Sequence, residues 1–493
     1  MAKKKGKRTS WEIIKNKKGK HKPEFWLLLI VLFALALRLY FFVGPNMNDD
    51  MEYVFSSHSV SRGDFSPLSS SSIDSIRSMM ILPIAFFFFL FGAGEFAASL
   101  YILLTSMLAI VLTFLVGRIL FSYKTALAAA FILAIFPLDI AFSTQLVPSV
   151  PMTLFLMTSI LFFLMAERKK HNPEIYYALS GIFAGISYLT SELFFLAGFF
   201  FLPYFILKRK LRREYILLAI GFLIVFSIES IFMFLKTGDM FHRLDVIHEE
   251  ELRVLTNTDL MYYTRAMFDF INPDYNAHEG NLGIFIYLYI AASLFAVYKR
   301  NWKAILLSLF VFISLMYLEF GIMTSTFKPI AKWVRYLVVF GPALSLLTAY
   351  FFAEISKRKF LLPELLVFAF AVSLPYTAGA TATYNMWVSD FRAEYNYLKN
   401  LTEKPIFTDS GSHDYIALYF NFERRINLLE DSTLESVRDS YVIIDGSFGI
   451  VTYQPMRERL PEFARNPPSG WALLNVIEGG YDFYSPKIYY VPA

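Results

Sequence analysis

The feature that most constrains this chain is a series of apolar runs, each about 15–25 residues long. At a rise of 1.5 Å per residue, a helix of that length crosses the ~30 Å hydrocarbon core of a bilayer. In lipid the backbone must satisfy its own hydrogen bonds, so such runs fold as helices or not at all. The first is Phe25–Val43, and others lie near 96–117, 125–137, 149–166, 175–190, 192–207, 215–235, 281–298, 304–320, 334–353 and 360–377. Composition agrees: 18% of the residues are charged, against about 25% in soluble proteins. A soluble enzyme, a disordered chain and a nucleic-acid-binding domain are excluded. Ala34-Leu35-Ala36 fits a signal-cleavage triplet, but the apolar run continues through Val43, so this reads as a retained span. The sequence contains no cysteine, which removes disulfides, thiolate catalysis and cysteine-based zinc sites.

Charge assigns sides. Residues 1–22 carry ten Lys/Arg and one acid, and a basic tail beside a first span marks the cytoplasmic face and anionic lipid. The clusters Arg168-Lys169-Lys170, Lys208-Arg209-Lys210 with Arg212-Arg213, Lys299-Arg300 with Lys303, and Lys357-Arg358-Lys359 belong on the same face. Residues 44–78 then lie outside, and an odd number of crossings must separate them from 168–170. Four apolar runs stand between. The shortest, Ile81–Phe91, contains Pro83 and ends at Gly92-Ala93-Gly94, and is assigned as an in-plane or re-entrant helix. The expectation is an all-α polytopic membrane protein with eleven spans and one in-plane helix.

The chain changes character near Tyr384. From there to Ala493 it holds fifteen acids, ten bases and no span. Ser389–Leu401 reads as an amphipathic helix, Pro405–Asp409 and Tyr441–Asp445 as strands, and Tyr415–Tyr419 as part of a second helix. The expected organisation is a basic cytoplasmic tail (1–24), a transmembrane domain (25–383) and a small extracytoplasmic α/β domain (384–493), in a multi-pass protein of the cell membrane. Asn400-Leu401-Thr402 is a glycosylation sequon.

Ionisable groups near a bilayer are the informative ones, and here they gather on the outer side. Asp49, Asp50 and Glu52 stand within four residues directly beyond the first span, followed by Tyr53. Close like charges repel, which suits a general base or a metal or sugar-hydroxyl site, and equally a solvated acidic turn capping a helix. Asp139 in the second outer loop either faces the same cavity or sits at the interface. Lys328, Lys332 and Arg335, at spacings of four and three, share one face if helical. Cations on the outer side call for an anionic lipid phosphate, or else snorkel to headgroups. Arg77 is a second phosphate candidate, and Arg38 lies inside the first span about 7–8 Å from its outer end. His242, Asp245 and His248 have the spacing of ligands on one helical face, in a loop whose plainer reading is a solvated charged segment.

These residues resemble the GT-C superfamily of membrane glycosyltransferases, in its protein O-mannosyltransferase and aminoarabinose-transferase branch. The resemblance rests on an Arg in the first span, then Asp49-Asp50-x-x-Tyr53, Arg62-Gly63-Asp64-Phe65, and an in-plane helix ending Leu90-Phe91-Gly92. Phe136-Pro137-Leu138-Asp139, Thr237-Gly238-Asp239 and Arg335-Tyr336 follow in the expected order. It covers most of residues 25–353. Asp50 stands where Glu is commoner, Ser149 stands where relatives often carry an acid, and the Trp-Trp-Asp-Tyr-Gly signature of oligosaccharyltransferases is absent.

The resemblance implies inverting transfer of one sugar from a polyprenyl (dolichyl or undecaprenyl) phosphate to an acceptor hydroxyl on a glycan, lipid or protein. Asp49 would be the base, and Asp50 and Tyr53 would position the acceptor or the base. Arg335, with Lys332 and Arg77, would hold the leaving phosphate, with Glu52, Asp139, Lys328 and Tyr336 completing the substrate site. No cofactor is required, although Asp50-x-Glu52 keeps a divalent metal open. Membrane lipids are partners and nucleic acid is not. The competing reading is a transporter or flippase of lipid-linked sugars. It requires paired inverted repeats and ionisable groups at the bilayer midplane, neither of which the sequence shows.

Overall fold

The computed structural model describes residues 23–46, 48–169, 172–209, 212–253, 261–264, 282–321, 332–356, 361–444, 460–478 and 485–493. The apolar runs fold as helices. α1 (Pro23–Tyr40) is followed by α2 (Asn48–Ser61), α3 (Ser78–Phe91), α4 (Glu95–Leu120), α5 (Tyr123–Ala134), the short α6 (Pro137–Ala141) and α7 (Ser149–Arg168). Then come α8 (Glu174–Tyr188), α9 (Gly198–Lys208), α10 (Ile216–Thr237), α11 (His242–Arg253), α12 (Phe285–Tyr298), α13 (Trp302–Phe320), α14 (Gly341–Ile355) and α15 (Leu361–Leu398). Among the described residues six helical segments are long and apolar enough to cross a membrane: 95–120, 149–168, 213–237, 302–320, 334–355 and 361–398. α3, at 14 residues, is shorter than the ~20 that a crossing needs.

Local chemistry sets the ends. Ser122 Oγ accepts the Thr125 N–H at 3.2 Å to cap α5, and Asn301 Oδ1 accepts the Lys303 N–H at 3.2 Å to cap α13. Gly238, at φ +80°, turns the chain out of α10 in a conformation that an L side chain resists.

Two expected spans begin with tighter coils. Residues Glu192–Ala197 and Val334–Phe340 are 3₁₀-helix, leading into α9 and α14. A larger difference concerns residues 389–401. They do not form a separate amphipathic helix, because α15 runs unbroken through Pro375 for 38 residues. Proline is tolerated inside membrane helices, where neighbours re-satisfy the freed carbonyl.

α8 and α10 cross with their backbones in contact. A Cβ on Gly181 would stand 1.9 Å from the Leu218 carbonyl oxygen, and one on Gly221 would stand 2.2 Å from that of Ala178. Small residues permit such approach, which dispersion then stabilises. Gly181→Val is expected to lower the unfolding temperature of the detergent-purified protein by several degrees, overpacking costing about 1–3 kcal/mol. A melt within a degree of wild type would show that the helices do not pack this way.

The C-terminal segment builds a five-stranded sheet in the order β2-β1-β3-β5-β4, from β1 (Ile406–Thr408), β2 (Ile426–Leu428), β3 (Ser440–Ile444), β4 (Ala472–Val476) and β5 (Lys487–Val491). β1 is parallel to β2 and β3, and β5 is antiparallel to β3 and β4. Strand alternation splits the core in two. Ile406, Tyr441, Ile443 and Ile488 pack with Leu398 at the end of α15 and with Ile416 of α16 (Ser410–Tyr419), while Phe407, Val442 and Val491 pack on the other face with Leu460 and Ala464. One helix therefore links the membrane bundle to the sheet. Tyr415 of α16 stacks on Phe391 at 4.3 Å and donates its hydroxyl to the Asn46 carbonyl at 2.6 Å. The loop after α1 is thereby held against the C-terminal segment.

Candidate active site

Asp49 and Asp50 occupy the first turn of α2, where unsatisfied N–H groups and the helix dipole favour negative charge. Their environments differ. Asp50 is 1% exposed, and its Oδ2 accepts the backbone N–H groups of Asn46 at 2.9 Å and Leu146 at 3.0 Å, tying the loop after α1 to the loop before α7. Its Oδ1 has no hydrogen-bond partner among the described residues. Burial pushes the Asp50 carboxyl up to about 7, against the smaller opposing pull of the two N–H groups.

Between about pH 4 and 7 folded Asp50 therefore keeps a proton that the unfolded chain has released. The stability this confers is lost as pH rises through that window. Asn at position 50 mimics the protonated acid and does not titrate. The unfolding temperature of Asp50→Asn should accordingly rise relative to wild type from pH 4 to 7, and a constant difference across that range would contradict the assignment.

Asp49 points the other way. Its Oδ2 lies 2.8 Å from Arg335 Nη2, across 286 positions of sequence, and 37% of its side chain remains exposed. Burial raises its pKa, but the charge and hydrogen bond of Arg335, helped by Arg77, carry it below the usual carboxylate range. Arg335 belongs to the 3₁₀ stretch before α14, and its guanidinium carbon stands 5.1 Å from the Trp333 ring centroid. Ser149, at the start of α7, donates its hydroxyl to the Arg335 carbonyl at 2.7 Å. Ser149 thereby anchors the arginine's backbone.

A second ionic group adjoins this one. Arg77 reaches Asp74 at 2.5 Å and Glu192 at 2.7 Å and also bonds the Tyr53 hydroxyl, which donates to Asp74 at 2.7 Å. Burial pushes the Asp74 carboxyl up to about 6 despite Arg77. Glu192 also faces Arg243 of α11 at 3.5 Å, so one carboxylate bridges two guanidinium groups. Arg243 is 2% exposed, pairs with Glu229 at 3.2 Å and donates to the carbonyls of Ile76 and Tyr188. Glu52 is exposed and accepts from Ser75 at 2.6 Å, and Tyr336 is half-buried beside Arg335.

Other sequence candidates lie elsewhere. Asp139 does not face Asp49. It pairs with Arg38, with Ser106 Oγ 2.8 Å from both groups, and both charged side chains are buried. Lys332 and Arg335 do not share a helical face. Trp333 is extended (φ −132°, ψ 133°), and Lys332 turns to Glu319 at 3.2 Å in a buried pair. Lys328 lies outside the described residues. His242 Nε2 lies 3.0 Å from the Ser70 carbonyl oxygen, and among the described residues no group of three or more His, Asp or Glu is placed to hold a metal.

Four participants escaped sequence reasoning: Asp74, Glu229, Arg243 and Glu319. Arg243 follows Thr237-Gly238-Asp239 in a stretch of alternating charge that reads as solvated. The available signal was a lone arginine on the apolar side of α11, beside Val246, which packs with Ile76 and Met233.

Residues 79–232 match the family model described as dolichyl-phosphate-mannose-protein mannosyltransferase. Among solved structures, ArnT from Cupriavidus metallidurans bound to undecaprenyl phosphate is 14% identical, covers 94% of this chain and 98% of its own, and superposes with a TM-score of 0.64. The Archaeoglobus fulgidus oligosaccharyltransferase is 13% identical over 93% of this chain and 72% of its own, with a TM-score of 0.52. Arabinofuranosyltransferase AftD from Mycobacteria is 11% identical over 96% of this chain and 40% of its own, with a TM-score of 0.55. No curated protein matches the sequence. The fold is that of the GT-C superfamily of glycosyltransferases. The stretch from α3 into α10 carries the match to the mannosyltransferase family model.

Proposed function

We propose that this protein is an integral membrane glycosyltransferase. It moves a single sugar from a polyprenyl phosphate to an acceptor hydroxyl on the extracytoplasmic side, inverting the anomeric centre. The observation that carries this reading is the Asp49–Arg335 pair at 2.8 Å, a solvent-reachable carboxylate facing a guanidinium on a GT-C scaffold. The undecaprenyl phosphate bound by ArnT supports the donor class.

In the step proposed, the acceptor oxygen attacks the anomeric carbon and its proton passes to Asp49. The bond from that carbon to the phosphate oxygen breaks, and the electron pair leaves with polyprenyl phosphate. Inversion needs nucleophile and leaving group on opposite faces of the sugar, so Asp49 and Arg335 must separate to admit it. The incoming phosphate provides the force: it competes for Arg335, with Arg77 as a second cation. Once Arg335 turns to phosphate, Asp49 loses the partner that depresses its pKa and becomes the stronger base when substrate is present. Asp50, through Asn46 and Leu146, holds the two loops that frame the pocket.

Residues 384–493 form the extracytoplasmic domain in this reading, and the basic tail faces the cytoplasm. The test is transfer by purified protein: incubation with a polyprenyl phosphate sugar and a hydroxyl acceptor should release polyprenyl phosphate and a glycosylated product in equal amounts. Binding of the lipid with movement across vesicles, and no product, would establish the transporter instead.

A further inference from the structure

The bundle has a second concentration of charge at the end opposite Asp49. α7, 20 residues long, connects the two: it starts at Ser149, bonded to the Arg335 carbonyl, and ends at Arg168, about 30 Å away at 1.5 Å per residue. Around Arg168 a cavity of about 370 Å³ is lined by Lys208, Arg212, Lys303, Trp302 and Glu167.

The one carboxylate among its described lining residues is already engaged. Glu167 accepts the hydroxyls of Tyr177, Tyr204 and Tyr215 at 2.7, 3.0 and 2.8 Å, and Arg212 stands 3.6 Å from it. Arg168, Lys208 and Lys303 form no ion pair with a described residue. Arg168 and Lys303 donate to the Ile119 and Leu120 carbonyls at the end of α4, and Lys208 lies 3.5 Å above the Trp302 ring. Arg212 Nε is buried without a hydrogen-bond partner. Helix capping accounts for two of the four cations. It does not account for their convergence on one apolar-walled cavity whose charges sum to a clear excess of positive.

We infer that this cavity binds the phosphate of an anionic bilayer phospholipid in the leaflet opposite the transfer site. The apolar walls, Leu120, Leu164 and Trp302, suit the glycerol and upper acyl chain, and the four cations suit the phosphate. The inference is independent of the transfer chemistry.

Trp302 supplies the readout. Full-length protein is reconstituted in phosphatidylcholine vesicles containing a minor fraction of brominated lipid, and the Trp302 emission is taken as the difference between wild type and Trp302→Phe. Brominated phosphatidylglycerol should quench this emission with an apparent affinity at least about five-fold tighter than brominated phosphatidylcholine. The Lys208→Gln/Lys303→Gln variant, folded by its melting curve, should lose the preference. Equal quenching by the two lipids in wild type overturns the proposal whether or not the variant folds, and so does a preference that the variant keeps. Abolition of the preference by millimolar inorganic phosphate would assign the cavity to a free phosphate from water and overturn the lipid source.

Discussion

Asp49→Asn should abolish sugar transfer while the protein still inserts, purifies and melts like wild type. The substitution is isosteric, and the amide oxygen still accepts from Arg335. It removes only the charge and the capacity to take a proton. Positioned proton transfer contributes about 10²–10⁴-fold to a rate, and the loss here should lie at the upper end, because Glu192, the other carboxylate held ionised nearby, is already shared between Arg77 and Arg243. Asp50 cannot substitute: its carboxyl is sealed from solvent and committed to two backbone N–H groups. Because Asp49 is partly exposed and the amide oxygen keeps the hydrogen bond to Arg335, the melting curve should move little. The assay is turnover of a polyprenyl phosphate sugar by the purified variant beside its thermal unfolding curve. Turnover within ten-fold of wild type in a folded variant would remove Asp49 from the mechanism. A variant that binds donor as tightly as wild type yet does not turn over would place the defect in the chemical step.

What the sequence disclosed followed from how expensive each feature is in a membrane. Apolar runs of span length have few alternative explanations, so most helices were legible within a few residues. Charged residues beside those runs are equally costly, which is why Asp49 and Arg335 stood out although 286 positions separate them. Features decided by tertiary contact were hidden. The pairing of Lys332 with Glu319 depends on Trp333 being extended, and nothing in Lys-Trp-Val-Arg announces that break in helical phase. The continuity of α15 was obscured by Pro375 and by a change in composition that resembles a boundary, yet the helix spans both. Arg243 was concealed by acidic neighbours that suggest solvation, although its own side chain is enclosed by the Ile76 and Tyr188 carbonyls and by Glu229. Burial, not residue type, separates it from the other charges of its helix.

Asp139 illustrates the same principle and gives the largest expected effect on stability. Its only described cation is Arg38, fully buried in α1, with the Ser106 hydroxyl closing the triangle at 2.8 Å. A buried pair adds little over two well-packed apolar residues, but removing one partner strands the other charge in a low-dielectric interior at a cost of about 3–5 kcal/mol. Asp139→Leu should therefore lower the unfolding temperature sharply or prevent recovery of folded protein. The double variant Arg38→Met/Asp139→Leu should regain most of the loss, because no charge is then left unpaired. Thermal unfolding of the three proteins in detergent measures this directly, and a single variant as stable as wild type would show that the pair does not form. The double variant also decides whether the pair is needed for transfer. If it folds and turns over, the aspartate is a strut that ties α6 to α1 and α4. If it folds and is inactive, the pair serves transfer as well as stability, and the closed pair is its resting arrangement.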